Sequence, residues 1–312
     1  VEIKDCEDGV TVSGTADRWF SEPKDILNAG NSATTMRLLT GLLAAQPFLS
    51  IITGDDSLRS RPMGRLIQPL CLMGARIWGR GGDSLAPLAI KGEKLHGIVY
   101  SLPIPSAQVK SALMLAALFA EGRTIIEEST SSRDHTERLL KAMGAKLEVG
   151  DHQIGITPQS SSLTALSIRI PGDISSAAYW LVAGAIHPNA KIRVLSTGIN
   201  PTRTGIIDAL LKMGANLKVE KQQMGGGEPI ADLSIESSNL AGIKIEGNLA
   251  SRLIDEIPVV AVAASVAKGT TVIRDAAELR VKESDRITAT VRELSKLGGE
   301  VEELPDGMVI HG

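Results

Sequence analysis

Aromatic side chains are scarce: three Trp, two Tyr and three Phe in 312 residues. The core must therefore be built from Leu, Ile, Val, Ala and Met. Cysteine is scarcer still. Cys6 and Cys71 stand alone, and two thiols far apart in sequence make neither a disulfide framework nor a metal site. No CxxC, HExxH or EF-hand pattern occurs. The five histidines, His96, His135, His152, His187 and His311, are scattered. The expectation is a cytoplasmic, metal-free chain. A basic excess is also missing: 33 Lys+Arg against 36 Asp+Glu give a net charge of −3, so no nucleic-acid partner is expected. No apolar run reaches the roughly 18–20 residues of a membrane span. The longest, 257–267, is Ala/Val-rich core material. The opening VEIKDCEDGV lacks the basic start and apolar run of a signal peptide and reads like the middle of a protein.

What is present is an ordinary globular composition, 43% apolar and 22% charged. At roughly 100–200 residues per domain the length suggests two domains. Self-similarity comes next, because it governs the fold. Four segments share one pattern: LIQPLCLMGARIW (66–78), LLKAMGAKLEV (139–149), LLKMGANLKV (210–219) and LSKLGGEVEEL (294–304). Each is a short amphipathic helix, then Met-Gly or Leu-Gly, then an alternating strand. The glycines, Gly74, Gly144, Gly214 and Gly298, fit a helix C-cap that needs positive φ.

A second helix precedes each segment: 32–47, 106–122, 175–190 and 255–269. The first three open with Ser-Ala or Ser-Ser, and serine is a favoured N-cap. β-rich runs follow each: FLSIIT, TIIEES, KIRVLS and TTVIRD. The unit is helix, strand, helix, strand, with further strand between units. The fold class is α/β (α+β), with helices buried against a mostly antiparallel or mixed sheet. The intervening strands argue against the alternative, an α-solenoid. The polar stretch PQSSSLTAL (158–166) marks a domain boundary before a new strand at 167–170. The domains expected are 1–166 and 167–312, with two units each.

The chemistry-bearing residues fall in five places. Helices beginning at Ser32, Ser106 and Ser175 offer free N–H groups and a positive dipole end to an anion, though serine there is more often purely structural. TGDDSLRSRPMGRL (53–66) holds Arg59, Arg61 and Arg65, suited to bidentate carboxylate or phosphate recognition or to a solvated loop. SSRDHTERLLKAMGA (131–145) reads as a capping box with Ser132 or Asp134 as cap and Glu137 returning; His135 is a structural residue or a general base. LRVKESDRI (279–287) packs Arg280, Lys282, Glu283, Asp285 and Arg286 at a strand–helix junction. Lys282 and Arg286 are four apart and are expected on one helix face. Asp255 opens a strongly apolar helix as an N-cap or a functional acid. Together these suggest a small phosphorylated or carboxylated polyanion as substrate.

The ordered motifs GNSATTMR (30–37), RSRPMGRL (59–66), SAQVKSA (106–112), SSRDHTE (131–137), IDEIP (254–258) and RVKESDR (280–286) resemble the 5-enolpyruvylshikimate-3-phosphate synthase family, an enolpyruvyl transferase family of the shikimate pathway of aromatic amino-acid biosynthesis. SRDHTE with SAQVKS resembles its bacterial class II branch. The resemblance covers essentially the whole chain. It implies two domains of repeated βαββαβ units in an inside-out α/β architecture, with helix N-termini converging on an interdomain cleft. About four of six units are expected here, one being missing at each end. The fragment alone is then expected to be inactive and the longer protein active.

The implied reaction moves the enolpyruvyl group of phosphoenolpyruvate to the 5-hydroxyl of shikimate 3-phosphate and releases phosphate, through a tetrahedral ketal, with no metal and no cofactor. The resemblance implies phosphoenolpyruvate contacts at Arg61, Gln108 and Arg286. It implies shikimate 3-phosphate contacts at Ser106, Ala107, Gln108, Ser132, Arg133, Asp255 and Lys282. Asp255 resembles the proton acceptor at the 5-hydroxyl, Glu283 the acid–base group at the enol carbon, and Lys282 completes the catalytic set. Ala33 stands where plant-type members have Gly. Its methyl is expected to enter the phosphoenolpyruvate pocket and to confer glyphosate tolerance. The two small molecules are the expected partners, without nucleic acid or membrane, and the full-length protein is expected to be a monomer. The rivals are UDP-N-acetylglucosamine enolpyruvyl transferase, which uses a loop cysteine, and a non-catalytic folded fragment or association domain.

Overall fold

In a computed structural model the described residues are 2–7, 9–14, 20–158 and 162–312. The chain forms two compact units. One comprises Val1–Ser131 with Leu140–Ala165, the other Ser132–Leu139 with Leu166–Gly312. Residues 159–161 of the polar boundary stretch lie outside the described residues.

Each unit holds two modules that repeat one sheet order. In the first module Leu27–Asn28 runs parallel to Leu49–Thr53. That strand is antiparallel to Leu85–Lys91, which is antiparallel to Arg76–Gly79. The second module repeats the order with Val99–Ser101, Thr124–Glu127, Gln153–Ile156 and Leu147–Val149. In the second unit Lys191–Gly198, Glu228–Glu236 and Asn216–Gly225 follow the same path, and the first position shrinks to a parallel bridge between Gly172 and Thr197. The last module closes it again with Lys244–Ile245, Thr270–Ile273, Gly307–His311 and Glu300–Leu304. A parallel pair needs a crossover, and in every module a leading helix supplies it: Ala33–Leu43, Ala107–Ala117, Ile174–Ile186 and Ile257–Ala264.

The trailing helices are Gly64–Leu72, His135–Ala142, Gly205–Lys212 and Arg286–Lys296. All four end alike. Gly74, Gly144, Gly214 and Gly298 have φ between 84° and 102°. Each glycine N–H bonds three residues back, and the next N–H bonds five back, as in Gly74 to Cys71 O (2.9 Å) and Ala75 to Leu70 O (3.0 Å). These are Schellman caps. They aim each chain directly into a strand, as the Met-Gly and Leu-Gly pattern implies.

Two separate apolar cores result, one in each unit. In the first, helices Ala33–Leu43 and Ala107–Ala117 pack through small residues. A Cβ on Gly41 would fall 2.2 Å from Ala112 O, so only glycine fits.

Three local expectations are corrected. Residues 167–170 form no strand; Ile168 and Ile170 are exposed, and among the described residues pairing begins only at Gly172. Ser175 is not a cap: Asp173 caps its helix, accepting from the N–H groups of Ser175 (3.2 Å) and Ser176 (3.0 Å). Lys282 and Arg286 share no helix face. Lys282 is extended after the 3-10 turn Ala277–Val281, and Asp285 starts a new helix at Arg286.

Candidate active site

In the first unit the helix starts carry the polar groups. Ser32 caps Ala33–Leu43 through Thr35 N–H (3.1 Å). Ala33 sits next to it, buried in the apolar core. Ser106 stands at the start of Ala107–Ala117, and its side chain makes no capping bond. One residue after Ala107, Gln108 spans both helices: its Oε1 accepts from Arg37 Nη1, and its Nε2 donates to Thr34 Oγ1 (2.8 Å).

Arg61 precedes Pro62 and is extended (φ −77°, ψ 139°), as a residue before proline prefers. Its Nη2 donates to Asn31 Oδ1 (2.8 Å), and Asn31 Nδ2 donates to Asp55 Oδ2 (2.7 Å). Asp55 also caps helix Asp56–Ser60 through Leu58 N–H (2.8 Å). That backbone bond, the Asn31 amide and the nearby Arg61 and Arg59 charges hold its carboxyl below the usual range. Arg59 turns instead to Gly54 O (2.9 Å) and Asp56. Arg61 Nε and Arg65 Nε are buried without a partner among the described residues.

In the second unit one carboxylate gathers three cations. Asp255 accepts from Arg133 Nη2 and from Arg286 Nη1 (3.2 Å), and Lys282 Nζ lies 3.6 Å away. Burial alone would raise its pKa. The charges of Lys282, Arg133 and Arg286 outweigh burial and hold it at about 2. Asp255 is therefore ionised at neutral pH. It does not cap the helix that follows, whose N-cap position is Glu256. Arg286 is itself held by Glu283, through Nε to Oε1 (2.8 Å) and Nη2 to Oε2 (3.1 Å). Arg280 points elsewhere, to Asp285 (2.7 Å) and Glu303 (2.9 Å). His135 pairs with Glu228 (2.8 Å), and Asn200 ties Asp134 (2.6 Å) to Glu228 (2.9 Å).

The structure thus brings Arg133, Asp255, Lys282, Glu283 and Arg286 together in one unit. Ala33, Ser106, Ala107 and Gln108 stand at the helix starts of the other, and Arg61 at the end of its helix Asp56–Ser60. Ser132 neighbours Arg133 in sequence and is partly buried. Sequence reasoning missed Asn31, Asp55 and Arg37, which hold Arg61 and Gln108 in place. Asn31 and Arg37 lie inside GNSATTMR, and the Asp-Asp pair before SLR is a helix-start signal. It also missed Arg203, whose Nη2 meets Ser175 Oγ (2.5 Å) and the buried Glu256 (3.6 Å). No sequence feature marks that group. Among the described residues no three His, Cys, Asp or Glu side chains are placed to hold a metal, and no helix is long and apolar enough to cross a membrane. Partial burial pushes the Cys71 thiol above its ordinary pKa, the reverse of an activated nucleophile.

The repeated α/β modules are those of the enolpyruvyl transferase fold, and Arg and Lys side chains cluster on carboxylates within them. The enolpyruvyl transferase NikO from Streptomyces tendae shares that fold, with a TM-score of 0.65 at 16% identity over 88% of this chain and 62% of that one. Residues 1–312 match the family described as EPSP synthase (3-phosphoshikimate 1-carboxyvinyltransferase), and the chain belongs to that family. It is 54% identical over 313 residues to the 3-phosphoshikimate 1-carboxyvinyltransferase of Desulforudis audaxviator, covering 100% of this chain and 73% of that protein. The relative of the same name from Synechococcus elongatus is 53% identical over 97% of this chain and 68% of its own length. EPSP synthase from Acinetobacter baumannii superposes with a TM-score of 0.88 at 44% identity, over 100% of this chain and 70% of that one.

Proposed function

We propose that the protein transfers the enolpyruvyl group of phosphoenolpyruvate to the 5-hydroxyl of shikimate 3-phosphate, the activity that the family and the named relatives support. The observation that carries this reading at the site is Asp255, an ionised carboxylate under three cations. The reactants bring two phosphates and two carboxylates, and clustered Arg and Lys answer such charge.

In this reading Arg61, Gln108 and Arg286 bind phosphoenolpyruvate. Ser106, Ala107, Gln108, Ser132, Arg133 and Lys282 bind shikimate 3-phosphate. Asp255 accepts the 5-hydroxyl proton as that oxygen bonds to C2 of phosphoenolpyruvate. Glu283 protonates the methylene carbon, giving the tetrahedral ketal. It then takes a proton back from the methyl group as the C–O bond to phosphate breaks. In the ligand-free chain Glu283 is paired with Arg286 through both oxygens; it takes up the proton it delivers when Arg286 turns to phosphoenolpyruvate. The Ala33 methyl crowds glyphosate more than phosphoenolpyruvate, and the full-length protein is a monomer.

The test is phosphate release by the full-length protein. Release requiring both phosphoenolpyruvate and shikimate 3-phosphate, and lowered by ~10²-fold or more in Asp255→Asn, supports the reading. Turnover with UDP-N-acetylglucosamine as acceptor instead would reject it. Light scattering checks the monomer.

A further inference from the structure

Lys110 and Glu128 form an ion pair inside the first unit. Nζ lies 2.8 Å from Oε2, and each side chain is only 2% exposed. Such a pair is a poor source of net stability, because desolvating both charges offsets their attraction. Apolar residues of similar volume often serve as well or better. Its best-attested use is to select one arrangement among several that an apolar interface would accept.

Helix Ala107–Ala117 faces that choice. Val109, Ala112, Leu113, Met114, Ala116 and Ala117 are all buried, so its surface gives little sense of which side belongs where. Its contact with helix Ala33–Leu43 includes the close approach of Gly41 to Ala112, and at its start the polar contacts of Gln108 with Arg37 and Thr34. A slip of one residue would turn the helix by about 100° and carry Gln108 away from Arg37 and Thr34. Glu128 is fixed from the other side. It follows directly on strand Thr124–Glu127, and its own N–H bonds His152 O (2.9 Å). Lys110 lies one helical turn from Ser106, whose carbonyl accepts the Lys110 N–H (2.9 Å).

We propose that Lys110 and Glu128 are positioning residues for substrate binding: the pair sets the rotation and register of helix Ala107–Ala117 and so holds Ser106 and Gln108 in their binding geometry. This rests on the reading above that Ser106 and Gln108 contact the substrates.

The test uses the full-length protein. Lys110→Met alone leaves a buried carboxylate behind and risks misfolding, so the informative variant is the doublet K110M/E128L. We expect it to fold, with a urea midpoint at or above that of the unaltered protein. The KM for shikimate 3-phosphate is expected to rise ~10-fold with kcat changed less than ~3-fold. In a Gln108→Ala background the doublet is expected to add less than it does alone, because part of its effect runs through that side chain. A doublet that lowers the midpoint marks the pair as a simple prop and overturns the proposal. So does an unchanged KM, or an effect that adds fully to Gln108→Ala. If Gln108→Ala itself leaves every KM unchanged, the site reading fails, and the proposal with it.

Discussion

Asp255 shows how one side chain can be tuned by its neighbours. Its carboxyl sits at about 2 against an ordinary 3.8, so the folded state binds this proton more weakly than the unfolded chain. The associated stability is present above the ordinary value and is lost as pH falls through about 2. The shift corresponds to roughly 2 kcal/mol, an upper figure for a partly exposed group. Asp255→Asn is expected to lower unfolding stability by about that amount near pH 7, and the gap is expected to close by about pH 2. Urea titrations across that range check it; a gap independent of pH would refute the assignment. Ala33 carries a second expectation at this scale. In the full-length protein Ala33→Gly is expected to lower the glyphosate concentration for half inhibition by ~10-fold or more. Inhibition curves for the two proteins decide it. The Arg, Lys, Asp and Glu of these clusters were legible as types that handle anions. Their partners were not: Asn31 meets Asp55 only because two loops of the first module lie side by side, and nothing local encodes that.

At the scale of the element, the four helix–glycine–strand joints were readable, because a positive φ needs glycine wherever it falls. The two kinds of glycine here differ in what an added methyl would meet. Gly298 has φ 89° and open space around its missing Cβ, whereas Gly41 faces the Ala112 backbone. Gly298→Ala is expected to cost about 1–2 kcal/mol from left-handed strain. Gly41→Ala is expected to cost at least about 2–3 kcal/mol by prising two helices apart. Urea unfolding of each checks the order, and a milder Gly41 variant would contradict the packing. The misreadings share a cause. Serine at 175 looked like a cap because caps favour serine, but Asp173 lies two residues earlier and reaches two N–H groups at once. Lys282 and Arg286 have helical spacing, yet Asp285 caps between them and breaks the helix.

For the whole molecule, two disjoint cores follow from four modules taken two at a time. Leu113→Ala in one core and Leu210→Ala in the other are each expected to cost about 2–5 kcal/mol. Each is expected to shift a different calorimetric transition. If both substitutions move the same single transition, the cores do not melt independently. The modular organisation was visible in the recurring glycine-capped pattern. Which residues of 131–145 side with which unit was not, because that division depends on contacts far apart in sequence.

Among the described residues each module's sheet draws its strands from that module alone, and this bears on how the chain emerges from the ribosome. A growing chain that has released Lys91 already owns all four strands of the sheet that begins at Leu27. Among the described residues neither edge of that sheet takes a strand from another module, so the slow, aggregation-prone step of long-range strand pairing is avoided there. What must wait is helix pairing, since Ala33–Leu43 finds Ala107–Ala117 only after another module's first half has been made. Synthesis can therefore complete hydrogen bonding one module at a time and leave side-chain burial to proceed in pairs.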